Sequence, residues 1–145
     1  MKRIIFICHG SICRSPAAML IFNHLKEEYN LNDYIALARA TSLEETGNGV
    51  YPPMKEVLRR HNIPLVRHSA SRLTKQEIDE AEVIYYMDSN NLRNLLRQYG
   101  NSPKYQLISR YYDNMEIEDP WYTDRYEYVY EKIYRSVEAI IKNLK

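Results

Sequence analysis

Cys8 and Arg14 stand six positions apart in the run Cys8-His9-Gly10-Ser11-Ile12-Cys13-Arg14-Ser15-Pro16, and that spacing suits a phosphate cradle with a nucleophile at its floor. A thiolate repels a phosphate dianion, so cationic and N–H donors must surround both. Arg14 offers a planar, bidentate donor fork matched to two phosphoryl oxygens. Ser15 suits a helix N-cap and Pro16 the first helical position. The loop then ends at the positive end of a helix, where unpaired backbone N–H groups bind anions and favour a thiolate. The chemistry expected is phosphate-ester hydrolysis through a cysteinyl-phosphate intermediate. In it His9, Gly10, Ser11, Ile12, Cys13 and Arg14 surround the phosphoryl group. The plainer alternative for Cys8 is a buried structural thiol at a strand end. The apolar run before it, Gly10 within the loop and Ser15-Pro16 after it are the further features a catalytic loop requires.

These residues need a strand before them and a helix after them. Arg3–Cys8 reads as a strand, Ser15–Tyr29 as a helix and Tyr34–Ala40 as a second strand. A loop with Gly47 and Gly49 leads to Pro52-Pro53 and a helix through about Arg60. Thr74-Lys75-Gln76-Glu77 fits a capping box opening a short helix. Glu82–Met87 contains Val83-Ile84-Tyr85-Tyr86-Met87, a continuous apolar run suited to a strand buried on both faces. Ser89–Gln98 is helical and stops near Gly100, and Lys104–Ile108 is a fourth strand. After the loop 109–120, Tyr122, Tyr126, Val129, Tyr130, Ile133, Val137, Ile140, Ile141 and Leu144 recur at helical spacing, as the inner stripe of a terminal helix. Alternation of this kind predicts an α/β protein with a parallel sheet covered by helices on both faces. In such sheets ligands bind beyond the carboxyl ends of strands, at a topological switch point. Cys8 lies at the carboxyl end of the first strand. The 109–120 loop leaves the fourth at the same rim.

That loop carries Glu118-Asp119-Pro120-Trp121-Tyr122. Expelling a phenolate from a tyrosyl phosphate is helped by a proton donor, a role worth about 10²–10⁴-fold. The same carboxylate can then activate water against the cysteinyl phosphate. Asp119, stiffened by Pro120, is the candidate. A simple helix cap is an equal reading of the same residues. Trp121 and Tyr122 offer flat surfaces for an aromatic ring, against an alternative of ordinary hinge packing.

At 145 residues the chain is expected to form one domain. With 20 basic and 19 acidic residues its net charge is +1, so no global field favours nucleic acid or a membrane surface. The two cysteines sit in one loop, which is no disulfide framework, and a free reactive thiol fits a reducing compartment. Met1-Lys2-Arg3 precedes an apolar run too short for a signal-peptide core or a membrane span, so a cytoplasmic protein is expected.

With these motifs the chain resembles the low-molecular-weight protein tyrosine phosphatases, from Ile4 to about Leu144. Its loop matches the family pattern Cys-x-Gly-Asn-Ile-Cys-Arg-Ser-Pro with one departure, and Asp119-Pro120 matches the general-acid loop. Thr41-Ser42, Gly47-Asn48, His61-Asn62-Ile63-Pro64, Thr74 and Met87-Asp88-x-x-Asn91-Leu92 fall in the same order. The resemblance implies a flavodoxin-like three-layer sandwich around four parallel strands, with neither a metal nor an organic cofactor. It implies phosphotyrosine-containing protein substrates, with inorganic phosphate or other oxyanions as product or inhibitors. By it Cys8 is the nucleophile, Arg14 binds the phosphoryl group, Asp119 is acid then base, and Ser15 hydrogen-bonds the thiolate. Cys13 is similar to a second cysteine that can form a reversible disulfide with Cys8; alternatively it is a small residue filling the loop.

Ser11 is the departure, standing where the family has an asparagine of left-handed backbone whose side chain ties the loop to a serine and a histidine. Serine takes that conformation less readily. His68 matches the histidine, or is a partly exposed polar residue. Ala38 replaces the serine. A functional but less rigid loop is expected. Glu44 stands where relatives often carry an aromatic wall of the cleft; it is either a solvated carboxylate or a charge that disfavours acidic peptides.

Three other activities share part of this pattern. Protein-arginine phosphatases of this fold carry threonine where Ile12 stands. Thioredoxin-coupled arsenate reductases need further cysteines, and none follows Cys13. A catalytically silent phosphate- or phosphotyrosine-binding module would not require Cys8, Arg14, Ser15 and Asp119 together.

Overall fold

The computed structural model describes residues 1–145. The elements follow in the order β1 Lys2–Cys8, α1 Arg14–Leu25, β2 Tyr34–Ala40, α2 Pro52–Arg60, α3 Lys75–Glu80, β3 Ala81–Tyr86, α4 Ser89–Tyr99, β4 Tyr105–Leu107, α5 Pro120–Thr123 and α6 Tyr126–Leu144. The strands form one sheet in the order β2-β1-β3-β4, and every pairing is parallel. This is the expected flavodoxin-like arrangement. The order reverses between β1 and β3, so the switch-point crevice opens beyond Cys8.

Alternation along β1 divides the core between two layers. Ile4, Phe6 and Cys8 face a large cluster with α1, α2 and α6, whereas Ile5 and Ile7 face a small one with Ile78 of α3 and Leu95 of α4. The Phe6 and Tyr85 rings stack with centroids 5.7 Å apart on the thicker side. The register pairs Cys8 with Ala40, so β1 and β2 end flush and their following loops meet. Asn23 of α1 closes the outer edge of β2: its Nδ2 donates to Ala36 O at 3.0 Å and its Oδ1 accepts from Ala36 N–H at 2.9 Å. Capping boxes start α3 at Thr74/Glu77 and α4 at Asp88/Asn91. Gly100, at φ 81°, ends α4. No helix is long and apolar enough to cross a membrane.

Two expectations are corrected. Helix α1 begins at Arg14 with Cys13 as its N-cap, and no side chain caps it. Ser15 therefore lies inside the first turn, its hydroxyl turned to the loop below. The terminal helix is broken: α5 stops at Thr123, Asp124 is left-handed at φ 62°, and α6 starts at Tyr126. Tyr122 leaves the inner stripe and is 84% exposed. Helical spacing is a one-dimensional signal, and a single left-handed residue resets its phase.

Candidate active site

The loop after β1 is shaped by what its carbonyls bind. Cys8 O accepts from Thr41 N–H at 3.1 Å, His9 O from Ser42 N–H at 3.1 Å, Ile12 O from Tyr51 N–H at 2.8 Å and Cys13 O from Ala17 N–H at 3.2 Å. Ser11 O accepts from His68 Nε2–H at 2.8 Å. In a trans peptide the C=O of one residue and the N–H of the next point opposite ways. With these carbonyls tied into the surrounding protein, the N–H groups of His9, Gly10, Ile12, Cys13 and Arg14 face the other side. No N–H between His9 and Cys13 is engaged by another backbone group. A row of free amide donors at the start of a helix is an anion site.

Ser11 holds the turn that aims them. It takes the left-handed conformation, φ 57°, that asparagine adopts more easily. Fully buried, it places Oγ 2.7 Å from Ser15 Oγ. His68 is the second support, from the far side. Burial holds its imidazole below the ordinary value of 6.5, against the opposing pull of the Ser11 carbonyl, with Arg39 adding to the depression. Nε2 carries the hydrogen because its partner is a carbonyl oxygen. Ala38 is buried and offers no side-chain hydrogen bond; the side-chain support runs through Ser11, Ser15 and His68, with Ser15 Oγ also 3.5 Å from Arg39 O.

Cys8 lies beneath the loop, 3% exposed. Ser15 Oγ is 3.3 Å from its Sγ, and Ser15 N–H donates to Sγ at 3.4 Å. Arg14 is 2% exposed. One guanidinium nitrogen, Nη1, donates to Asp88 Oδ2 at 2.7 Å and to Ile117 O at 2.9 Å, and Nη2 lies 3.5 Å from Asp119 Oδ2. Burial opposes the guanidinium charge, but Cys8, Asp88 and Asp119 outweigh it and hold Arg14 above its usual value. For Cys13, burial first and then the charges of Cys8 and Asp119 push the thiol up to about 12. It stays protonated beside Cys8.

Asp119 both caps a helix and faces the cleft. Its Oδ1 caps α5 by accepting from Trp121 N–H at 3.0 Å, and Oδ2 looks towards Arg14. The root of its loop is pinned to the sheet, since Ile117 N–H donates to Met87 O at 2.9 Å and Ser89 N–H to Glu116 Oε1 at 2.6 Å.

Cys8, His9, Gly10, Ile12, Cys13, Arg14, Glu44, Glu45, Asp119, Trp121 and Tyr122 line one open cleft of about 450 Å³. Glu44 is on its rim with Oε2 3.1 Å from His9 Nε2. Gly10 admits the Glu45 side chain, because a Cβ there would lie 3.0 Å from Glu45 Cγ. Every residue expected around the phosphoryl group or the cleft thus gathers at one place, with Ser11, Ser15 and His68 as its underside. Sequence reading missed Asp88, Tyr51, Glu45 and the Thr41 and Ser42 amides as parts of the site. The Met87-Asp88-x-x-Asn91 capping pattern was the one local signal for Asp88, and backbone donors leave none.

A thiol and guanidinium under free amides, at the switch point of a parallel sheet, define the class of thiol-dependent phosphatases. Comparison with known proteins is more specific. The chain belongs to the low molecular weight phosphotyrosine protein phosphatase family, whose model matches residues 3–145. It is 32% identical over 150 residues to the human low molecular weight phosphotyrosine protein phosphatase, covering 97% of this chain and 94% of that protein. It is 29% identical to the low molecular weight protein-tyrosine-phosphatase PtpA of Staphylococcus aureus, covering 97% and 92%. Among solved structures, YfkJ from Bacillus subtilis superposes with a TM-score of 0.94 at 27% identity, over 99% of this chain and 94% of that one. The protein is therefore a phosphatase of the protein tyrosine class.

Proposed function

We propose that residues 1–145 form a single phosphatase domain that hydrolyses phosphotyrosine on protein substrates through a phosphocysteine at Cys8. The observation that carries this reading is the meeting of Cys8, Arg14 and Asp119 in one cleft from opposite ends of the chain. The dianion seats on the free amides of the loop and on the N–H groups of Arg14 that remain to it. Inorganic phosphate and similar oxyanions take the same seat as product or inhibitors. The Cys8 thiolate attacks phosphorus, the S–P bond forms, and the bond from phosphorus to the phenolic oxygen breaks. Asp119 Oδ2 gives its proton to that oxygen, and tyrosine leaves. The Asp119 carboxylate then takes a proton from water, whose oxygen attacks phosphorus. The S–P bond breaks, and the departing thiolate is stabilised by the Ser15 hydroxyl and N–H. No step calls on a cofactor.

Trp121 and Tyr122 flank the tyrosyl ring, and Glu44 with His9 meets the residues beside it. Cys13, protonated under normal conditions, is the partner for a reversible disulfide with Cys8 after oxidation. Two free thiols suit a reducing cytoplasm. Hydrolysis of phosphotyrosine and phosphoarginine peptides without added metal, by the wild type and Cys8→Ser, tests the reading. Phosphotyrosine is expected to be turned over only when Cys8 is present. Turnover that survives Cys8→Ser, or a preference for phosphoarginine, would overturn it.

A further inference from the structure

Tyr51 lies outside the cleft lining, yet it joins the two halves of the chemistry. Its backbone N–H holds the Ile12 carbonyl of the phosphate loop at 2.8 Å. Its ring centroid is 5.3 Å from that of Trp121, tilted by 60°, and 6.2 Å from that of Tyr126, stacked at 30°. Trp121 in turn donates its backbone N–H to Asp119 Oδ1. A continuous path thus runs from the phosphate loop through Tyr51 and Trp121 to the carboxylate across the cleft.

The path has a stiff and a soft end. Tyr51 precedes Pro52-Pro53 and is extended, at φ −61° and ψ 134°, the conformation that a following proline favours. Beyond it, Tyr126 is buried at the start of α6. The soft end is α5, a four-residue helix ending at the left-handed Asp124. Its Trp121 is 56% exposed and Tyr122 still more so. Few contacts hold such a segment, and the Tyr51 ring packs against its tryptophan.

We propose that Tyr51 is a positioning residue that sets Asp119 over the phosphate loop by bracing Trp121 with its ring. The proposal rests on reading Asp119 as the acid. The ring is the working part: the Tyr51 hydroxyl has no hydrogen-bond partner, and the bond to Ile12 uses the backbone. Phenylalanine therefore suffices, and alanine removes the brace while leaving the Ile12 bond in place.

The test is kcat/KM for aryl phosphates of graded leaving-group ability, for the wild type, Tyr51→Phe, Tyr51→Leu, Tyr51→Ala and Asp119→Ala. A displaced acid hurts poor leaving groups and spares good ones. Tyr51→Ala is expected to lose about three- to tenfold on the poorest leaving group, the scale of one aromatic pair. It should lose less than about twofold on the best, with inhibition by inorganic phosphate unchanged. Tyr51→Phe should match the wild type and Tyr51→Leu fall between. Trp121 is the chain's only tryptophan, so its fluorescence reads the brace directly: acrylamide quenching should rise in Tyr51→Ala and not in Tyr51→Phe. An equal loss across leaving groups, or no loss, overturns the proposal, as does unchanged quenching. If Asp119→Ala shows the leaving-group effect and Tyr51→Ala does not, Tyr51 alone is refuted. If neither shows it, the reading of Asp119 falls as well.

Discussion

Replacing Asp88 with asparagine should weaken catalysis without unfolding the site. Arg14 is almost wholly buried, and its Nη1 is committed to Asp88 Oδ2 and Ile117 O. Those two bonds fix the plane of the guanidinium and leave its remaining N–H groups for the phosphoryl oxygens. Asp88→Asn keeps the shape and the N-cap of α4, because asparagine caps a helix as well as aspartate does. It removes the charge and, because Oδ1 holds the cap while Oδ2 holds the guanidinium, puts an NH2 donor in place of the acceptor that faces Arg14. A hydrogen bond to a charged group contributes about 1.5–3 kcal/mol. Losing that bond corresponds to a fall of roughly 10–150-fold in kcat/KM. It is smaller than the cost of stripping a buried ion of every partner, because Asp119 and Cys8 still face Arg14. The assay is kcat/KM on an aryl phosphate, the inhibition constant of inorganic phosphate and the melting temperature. Phosphate should bind more weakly by a similar factor, while a single cooperative melt lowered by several degrees shows that the fold is kept. Asp88→Ala loses the cap as well and should cost a further ~1 kcal/mol of stability. If Asp88→Asn retained kcat/KM and phosphate affinity within twofold, the orientation of Arg14 would not depend on this pair.

The depressed value of His68 makes stability depend on pH. Its contribution is complete above 6.5, the ordinary imidazole value, and is lost as the pH falls from there through the lower folded value, where the unfolded chain binds the extra proton. Melting curves should show this loss below about pH 6.5 in the wild type and not in His68→Gln. Ser11→Asn should raise Tm in phosphate buffer and change turnover, because asparagine takes φ 57° at less cost; equal Tm and turnover would show that the loop gains nothing from it. Glu44→Gln should raise kcat/KM for acidic phosphotyrosine peptides about two- to fivefold relative to basic ones at low salt, and less at high salt. Equal effects on both peptides would make Glu44 a solvated bystander.

Most of the framework was legible because it follows local rules. Tyr34–Ala40 and Pro52–Arg60 lie where the apolar period and the paired prolines put them. The capping box at Thr74 formed as written. The places of Cys8 and Asp119 on one rim were legible because their neighbours already encode a strand-to-helix loop and a helix start. The broken terminal helix was not, since the left-handed Asp124 leaves apolar spacing undisturbed on either side. Ser15 was misread as a cap: the preference for serine at helix starts is real, but its hydroxyl finds buried partners in Ser11 and Cys8. Tyr51 was invisible for another reason. Its role depends on Trp121, seventy positions away, and on a backbone N–H that any residue but proline carries.

The central claim is that phosphorus passes through Cys8, and trapping it there is the most direct test. Asp119→Ala, mixed with an aryl phosphate of good leaving group and quenched within one turnover, should form the phosphocysteine at near-normal rate and hydrolyse it slowly. Peptide mass analysis is then expected to find the phosphoryl group on the segment that contains Cys8, and none in Asp119→Ala carrying Cys8→Ser. A phosphoryl group on any other residue, or hydrolysis by Cys8→Ser at the wild-type rate, would contradict the account.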